Sequence, residues 1–245
     1  VGKLNTAGVK LKALSNFRIT GFRARQCRLR DRIFAKDCDA TVSKLRLDPL
    51  RQNPAENITP GIIGRDVDAR IAMHPFELNP DMGPEGENVV EYLGKKYGRT
   101  PEQIAETQAT IRERGAEVGF RFGERKRVYN TFDAHRLLYW AKHEDKQVTL
   151  KLALLKAYHT DGKDPSDRNV LIEAAGSVGL DAEAAREVLE SGQFADEVRA
   201  EEQEYQAMGI HSVPAIIFNR RYLVSGGQPA EVFEQAIRQI ISEAQ

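Results

Sequence analysis

The stretch GIHSVPAIIFNRRYLVSGGQP, residues 209–229, decides the fold. Two apolar runs, AIIFN and YLVSG, flank Arg220 and Arg221, so the pair reads as a β-hairpin. Pro214 stands at the mouth of the first run. It has no N–H to give to a ladder, so it suits the first residue of a strand and not its middle. Just upstream, residues 194–208 form a long acidic helical stretch that Gly209 closes. Downstream, in PAEVFEQAIRQIISEA, Val232, Phe233, Ala236, Ile237, Ile240 and Ile241 recur at helical spacing and mark one buried stripe. From residue 194 the order is helix, loop ending in proline, strand, strand, helix.

Upstream of this block the text is mostly helical. Thr100-Pro101-Glu102-Gln103 has the form of a capping box with proline at the first helical position, opening a helix to about Val118. Further helices read from Glu87 to Tyr97, Asn130 to His143, Val148 to Tyr158, Asp164 onward and Asp181 to Glu190. Before them, VDARIAMHPF alternates Val67, Ala69, Ile71 and Met73 against Asp68, Arg70, Ala72 and His74, a strand with one buried face. FELNPDMGPEG is a loop. Residues 1–65 hold no sustained period. Their best strand is Arg32–Lys36 and their best helix runs roughly from Ala40 to Leu47, stopped by Pro49.

The composition bounds the class. In 245 residues, 41% are apolar and 29% charged, enough for a core domain with an insertion. No run of 18 apolar residues is present, so no membrane-spanning helix is expected, and no charged start followed by an apolar stretch suggests a signal peptide. The formal charge of zero hides an asymmetry: residues 1–65 carry 14 Lys+Arg against 5 Asp+Glu, and the remainder carries the opposite excess. That basic arm lacks interleaved aromatics and any binding motif, so nucleic acid is not expected as a partner. Two cysteines, Cys27 and Cys38, exclude a disulfide scaffold and a multi-cysteine zinc site, and fit a reduced, cytoplasmic location. His74, Glu77 and Asp81 lack the spacing of a metal site, and no metal is expected.

Three segments, HPFELNPDM at 74–82, NTFDAHRLL at 130–138 and the opening stretch, together resemble the DsbA-like thioredoxin family, and within it the FrnE-like oxidoreductases. The resemblance implies an α/β fold: a thioredoxin-like fold with an inserted all-helical domain. It places the first thioredoxin half at residues 1–80, the helical insertion at 85–192 and the second half at 193–245. It implies thiol–disulfide exchange with a thiol- or disulfide-bearing peptide, protein or small molecule. In the family the bond equivalent to Val213–Pro214 is cis and lies beside the active site. Ser212, Val213 and Pro214 are therefore implied as substrate-binding residues, the Val213 backbone pairing with an extended peptide or with glutathione. The helix carrying Asn130 and His135 is implied to lie over the same side. His135 would touch substrate or tune a thiolate, although a packing role suits it as well, and Asn130 has reason enough as a helix cap. No cofactor is implied beyond glutathione as a substrate. The apolar helical insert is a candidate homodimer contact.

The family carries Cys-Pro-Trp-Cys at the start of its first helix, where the helix end favours a thiolate. This sequence has no Cys-x-x-Cys. Its nearest counterpart is Cys38-Asp39-Ala40-Thr41, with Cys38 as a lone nucleophile and the Thr41 hydroxyl in place of the resolving thiol. Such a site forms mixed disulfides but cannot close its own. The alternative is a small buried Cys38. A further possibility is that residues 1–65 derive from a shifted reading frame, the ordinary motif then being absent from this text. Besides the oxidoreductase, two other functions fit the segments. One is a glutathione-dependent isomerase or transferase of the 2-hydroxychromene-2-carboxylate isomerase or kappa glutathione transferase kind. The other is a redox-inactive peptide-binding protein.

Overall fold

In the computed structural model, residues 2–3, 41–48 and 68–243 are described, with backbone alone before Ile71. The strands are β1 (Gly2–Lys3), β2 (Thr41–Asp48), β3 (Asp68–Pro75), β4 (Glu87–Asn88), β5 (Arg127–Val128), β6 (Ala215–Phe218) and β7 (Tyr222–Ser225). The helices are α1 (Val89–Tyr97), α2 (Pro101–Glu117), α3 (Phe132–His143), α4 (Gln147–His159), α5 (Arg168–Ser177), α6 (Ala182–Ser191), α7 (Ala195–Ala207) and α8 (Ala230–Ser242). The chain divides into two compact units, one of residues Pro75–Glu202 and the other combining the five-stranded sheet with residues 203–243. In this division the start of α7 groups with the helical unit, where Glu201 pairs with Lys142.

In the sheet unit the strand order is β1-β7-β6-β2-β3. The expected hairpin is present: β6 and β7 are antiparallel, from Phe218↔Tyr222 to Ala215↔Ser225. Its turn places Asn219 and Arg220 at φ +48° and +58°. Asn visits that left-handed region readily, whereas Arg does so at a cost. The amphipathic stripe of α8 folds onto the hairpin, with Phe233, Ala236, Ile237 and Ile240 packed with Phe218, Tyr222 and Val224. β2 corrects the helix expected at Ala40–Leu47. Residues 41–48 run as a strand parallel to β6, registered Val42↔Ala215 to Leu45↔Phe218. Thr41 and Val42 are β-branched, and Ser43, Leu45 and Leu47 alternate with Lys44, Arg46 and Asp48. A period of two and a place in a sheet override the helical reading. The strand expected at Arg32–Lys36 lies outside the described residues.

In the helical unit the local signals act as read. Thr100 makes its capping box with Gln103. Asn88 and Asp181 accept from backbone N–H groups at the starts of α1 and α6, and Gly98 closes α1 in the left-handed conformation. The Asp164 region forms a turn, and Asp167 caps α5 three residues later. The core is one cluster drawn from α3 to α6, centred on Leu137, Ala141, Leu150, Leu171, Ala175 and Ala185, all with no exposed surface.

Candidate functional site

The sequence points to two groups of site residues, and the structure treats them differently. Ser212, Val213 and Pro214 form the loop between α7 and β6. His211 and Ser212 are exposed, and Val213 and Pro214 half-buried. The Val213–Pro214 peptide bond is cis. The Pro214 carbonyl accepts from Gly226 N–H at 2.8 Å, continuing the β6–β7 ladder by one bond beyond Ala215↔Ser225. The loop is anchored behind by Ile210, which is buried and whose N–H donates to the Tyr205 carbonyl at 3.0 Å. A firmly held strand start therefore follows two exposed polar residues, His211 and Ser212.

Asn130 and His135 belong to the helical unit and serve its interior. Asn130 accepts from Phe132 N–H at 2.8 Å and donates to the Met82 carbonyl at 3.2 Å, so it holds the first N–H of α3 from one residue before the Thr131 cap position and ties down the loop after β3. His135 is 3% exposed. Burial, and after it the charge of Lys151, push its pKa down to about 3, a backbone hydrogen bond to Phe76 pulling the other way and Arg199 lowering it further. It is a neutral imidazole whose Nε2 has no hydrogen-bond partner among the described residues. His159, on α4, is held likewise at about 3 by burial, Arg125 and Lys151. Arg136, the next residue of the same motif, is the strongest structural device in it. Its guanidinium bonds the Val188, Leu189 and Gln193 carbonyls and the Asp133 carboxylate. It thereby satisfies the bare carbonyls at the end of α6, where positive charge is favoured.

His74 departs from its expected place. The alternation put it on the open face of its strand, yet it is 5% exposed and packs on the Tyr205 ring at 5.3 Å. A polar side chain there signals a polar neighbour rather than solvent. Sequence reasoning also missed Arg199 and Glu202. Arg199 bonds Glu202 at 2.8 Å and also Glu77, while Glu77 N–H donates to the Glu202 carboxylate at 3.2 Å. The Phe132 ring lies 3.9 Å from the guanidinium. Burial opposes the Arg199 charge, but the bonds and charges of Glu77 and Glu202 more than offset it and raise its pKa. The findable signal was Arg199 and Glu202 at i,i+3 on a helix, with Glu77 as the one charged residue between Pro75 and Pro80.

Cys38 lies outside the described residues, and Thr41 is described only as the first residue of β2. Residues 41–48, expected as helix, form the strand β2 instead. What the backbone does give is the end of the sheet at which this segment arrives. The β2–β6 register starts at Val42↔Ala215, one residue past Thr41 and one past Pro214.

The chain belongs to the DSBA-like thioredoxin domain family, whose model matches residues 54–238, about three-quarters of its length. Members of this family are thiol–disulfide oxidoreductases. Among solved structures, the chain is similar to a “probable DsbA oxidoreductase” from Streptomyces coelicolor, with 37% identity over 69% of this chain and 74% of that one, at a TM-score of 0.66. It also matches a “putative protein disulfide isomerase” from Nitrosomonas europaea at 19% identity, over 63% of this chain and 87% of that one, with a TM-score of 0.47. No protein of curated function matches it.

Proposed function

We propose that this protein is a thiol–disulfide exchange protein of the DsbA/FrnE kind that works with a single thiol and binds extended substrates along Ser212–Val213–Pro214. The observation that carries the reading is the exposed pair His211 and Ser212 beside a bonded strand start, in a chain of a thiol–disulfide oxidoreductase family. Cys38 supplies the thiolate. It attacks one sulfur of a substrate disulfide, the new Cys38–substrate S–S bond forms, the old one breaks, and the other substrate sulfur leaves as thiolate. With Thr41 where a resolving thiol would stand, release needs a second thiol from glutathione or from the substrate, which attacks the mixed disulfide and frees Cys38. The approach of β2 to the end of the sheet where Pro214 lies supports this choice over Cys27, which has no matched position. Such a protein suits a reducing compartment, where glutathione provides that thiol. His135 and Asn130 act in this reading by holding the helical unit together rather than by touching substrate.

The test begins with an intact mass of the purified protein, since a shifted frame in residues 1–65 would change it. The protein is then incubated with glutathione disulfide and with a peptide disulfide. The expected result is one glutathione or peptide adduct mapped to Cys38, lost in Cys38→Ser, with peptide affinity retained. Peptide binding with no adduct would replace this reading by a redox-inactive binding protein. Marked thermal stabilisation by reduced glutathione with no adduct would point instead to the isomerase class.

A further inference from the structure

Within the sheet unit, the loop that leads into β6 meets a second turn, Ser225-Gly226-Gly227-Gln228, between β7 and α8. The β6–β7 register shows what that turn does. In an antiparallel pair, opposed residues alternate between those that exchange two backbone hydrogen bonds and those that exchange none. Pro214 and Gly226 oppose each other one step beyond Ala215↔Ser225 and belong to the first kind. Proline has no N–H, so only one of the two bonds forms: Gly226 N–H donates to the Pro214 carbonyl at 2.8 Å. The start of β6 is therefore tied to β7 by half the usual bonding, and the tie depends on where Gly226 sits.

Three features fix Gly226. Its φ is +78°, in the left-handed region that glycine enters at little cost. Ser225 belongs to the second kind of pair, so its carbonyl turns away from β6. The Gln228 side chain donates to that carbonyl through Nε2 at 3.1 Å and closes the turn from outside. The same Nε2 lies 3.6 Å from where a Cβ on Gly226 would stand, so the carboxamide covers the residue it steadies. Pro229 then leads directly into α8, whose Phe233 and Ile237 share one buried cluster with Phe218 and Val224, so the far end of the turn is held as well.

We propose that Gln228 is a positioning residue for the substrate loop. Its carboxamide clamps the 225–228 turn, the clamped turn presents the Gly226 N–H to Pro214, and that bond sets where the Val213–Pro214 backbone meets a substrate chain. The consequence for substrate rests on the reading of Ser212–Val213–Pro214 given above. The clamp does not, and the two fail separately.

The experiment compares wild type with Gln228→Met, which keeps the bulk and loses the donor, Gln228→Lys, which keeps a donor, and Gly226→Ala, which burdens the left-handed turn directly. Amide hydrogen exchange is followed residue by residue on the whole protein. The expected result is exchange about tenfold faster at Gly226 in Gln228→Met and Gly226→Ala, a smaller rise in Gln228→Lys, and unchanged protection at Ile217 and Ile237. In parallel, affinity for an extended peptide without cysteine is titrated, and alkylation of Cys38 by iodoacetamide is timed. The peptide should bind about fivefold more weakly to Gln228→Met, because a looser loop must be ordered on binding. The small reagent needs no loop and should react at the wild-type rate. A residue that merely stabilised the fold would speed exchange throughout the sheet unit; that pattern, or unchanged exchange at Gly226, overturns the proposal. Faster exchange with unchanged affinity leaves the clamp and overturns the positioning role. A wild type that binds no peptide removes the loop reading and the positioning role with it, and exchange at Gly226 then decides the clamp alone.

Discussion

The helical unit and the sheet unit use polar residues in opposite ways. In Pro75–Glu202 the motif residues that look chemical are consumed by the fold. Arg136 closes α6, Asn130 accepts from the first N–H of α3, and His135 is a neutral buried ring. In residues 209–214 the polar groups are exposed and the support is made by backbone, through Ile210→Tyr205 and Gly226→Pro214. Across the family segments, burial thus separates polar residues held by the fold from polar residues left exposed. A buried polar side chain must be satisfied by its surroundings and is costly to change, whereas an exposed one is cheap to the fold and available to a ligand.

Substitutions can break this contrast, and Arg136→Met is the hardest test. Four acceptors lose their donor, Asp133 loses a short ion pair at 2.6 Å, and the end of α6 is left bare. Urea unfolding is expected to show a loss of about 3–5 kcal/mol. A loss under 1 kcal/mol would mean that the motif arginine is not structural.

Acid comes next. His135 and His159 titrate near 3 in the folded protein and near 6.5 when unfolded. Between those values the unfolded chain binds protons that the native chain refuses, so stability is full above pH 6.5 and falls as pH drops toward 3. The slope is roughly 1.4 kcal/mol per pH unit for each histidine. Denaturation at a series of pH values measures it, and His135→Phe should halve the slope these two contribute.

Smaller effects sharpen the same contrast. Thr100→Ala removes a cap on the surface of the helical unit and should cost about 1 kcal/mol by urea unfolding. Ser212→Ala, on the exposed loop, should shift stability by no more than about 0.5 kcal/mol. Its effect should fall on peptide affinity, read by titration with an extended peptide. A large stability loss at Ser212 would end the distinction between the two regions.

How much of this was readable in the sequence follows the same division. Helix boundaries with caps, such as Thr100, Asp181 and Gly98, came through because capping is local chemistry. The hairpin and α8 came through because apolar periodicity reports a buried face directly. Residues 41–48 did not, since Leu45 and Leu47 among basic residues fit either period, and only the partner strand β6 decides between them. His74 and the Glu77–Arg199–Glu202 network were hidden because their partners are more than a hundred residues apart in sequence. The cis-proline at Val213–Pro214 was marked by its family motif, whereas Cys38 lies outside the described residues.

The sheet order has a consequence during synthesis. Among the described residues the helical unit is one unbroken length of chain, complete as soon as Glu202 leaves the ribosome. The sheet is not: β1, β2 and β3 emerge first, and β6 and β7, which lie between β1 and β2, emerge last. Through the translation of the whole helical insert, β2 waits with one edge unpaired, and unpaired edges invite the wrong partner. The order of emergence makes the helical unit the nascent chain's finished cargo and the sheet its unfinished business, closed only when the hairpin arrives.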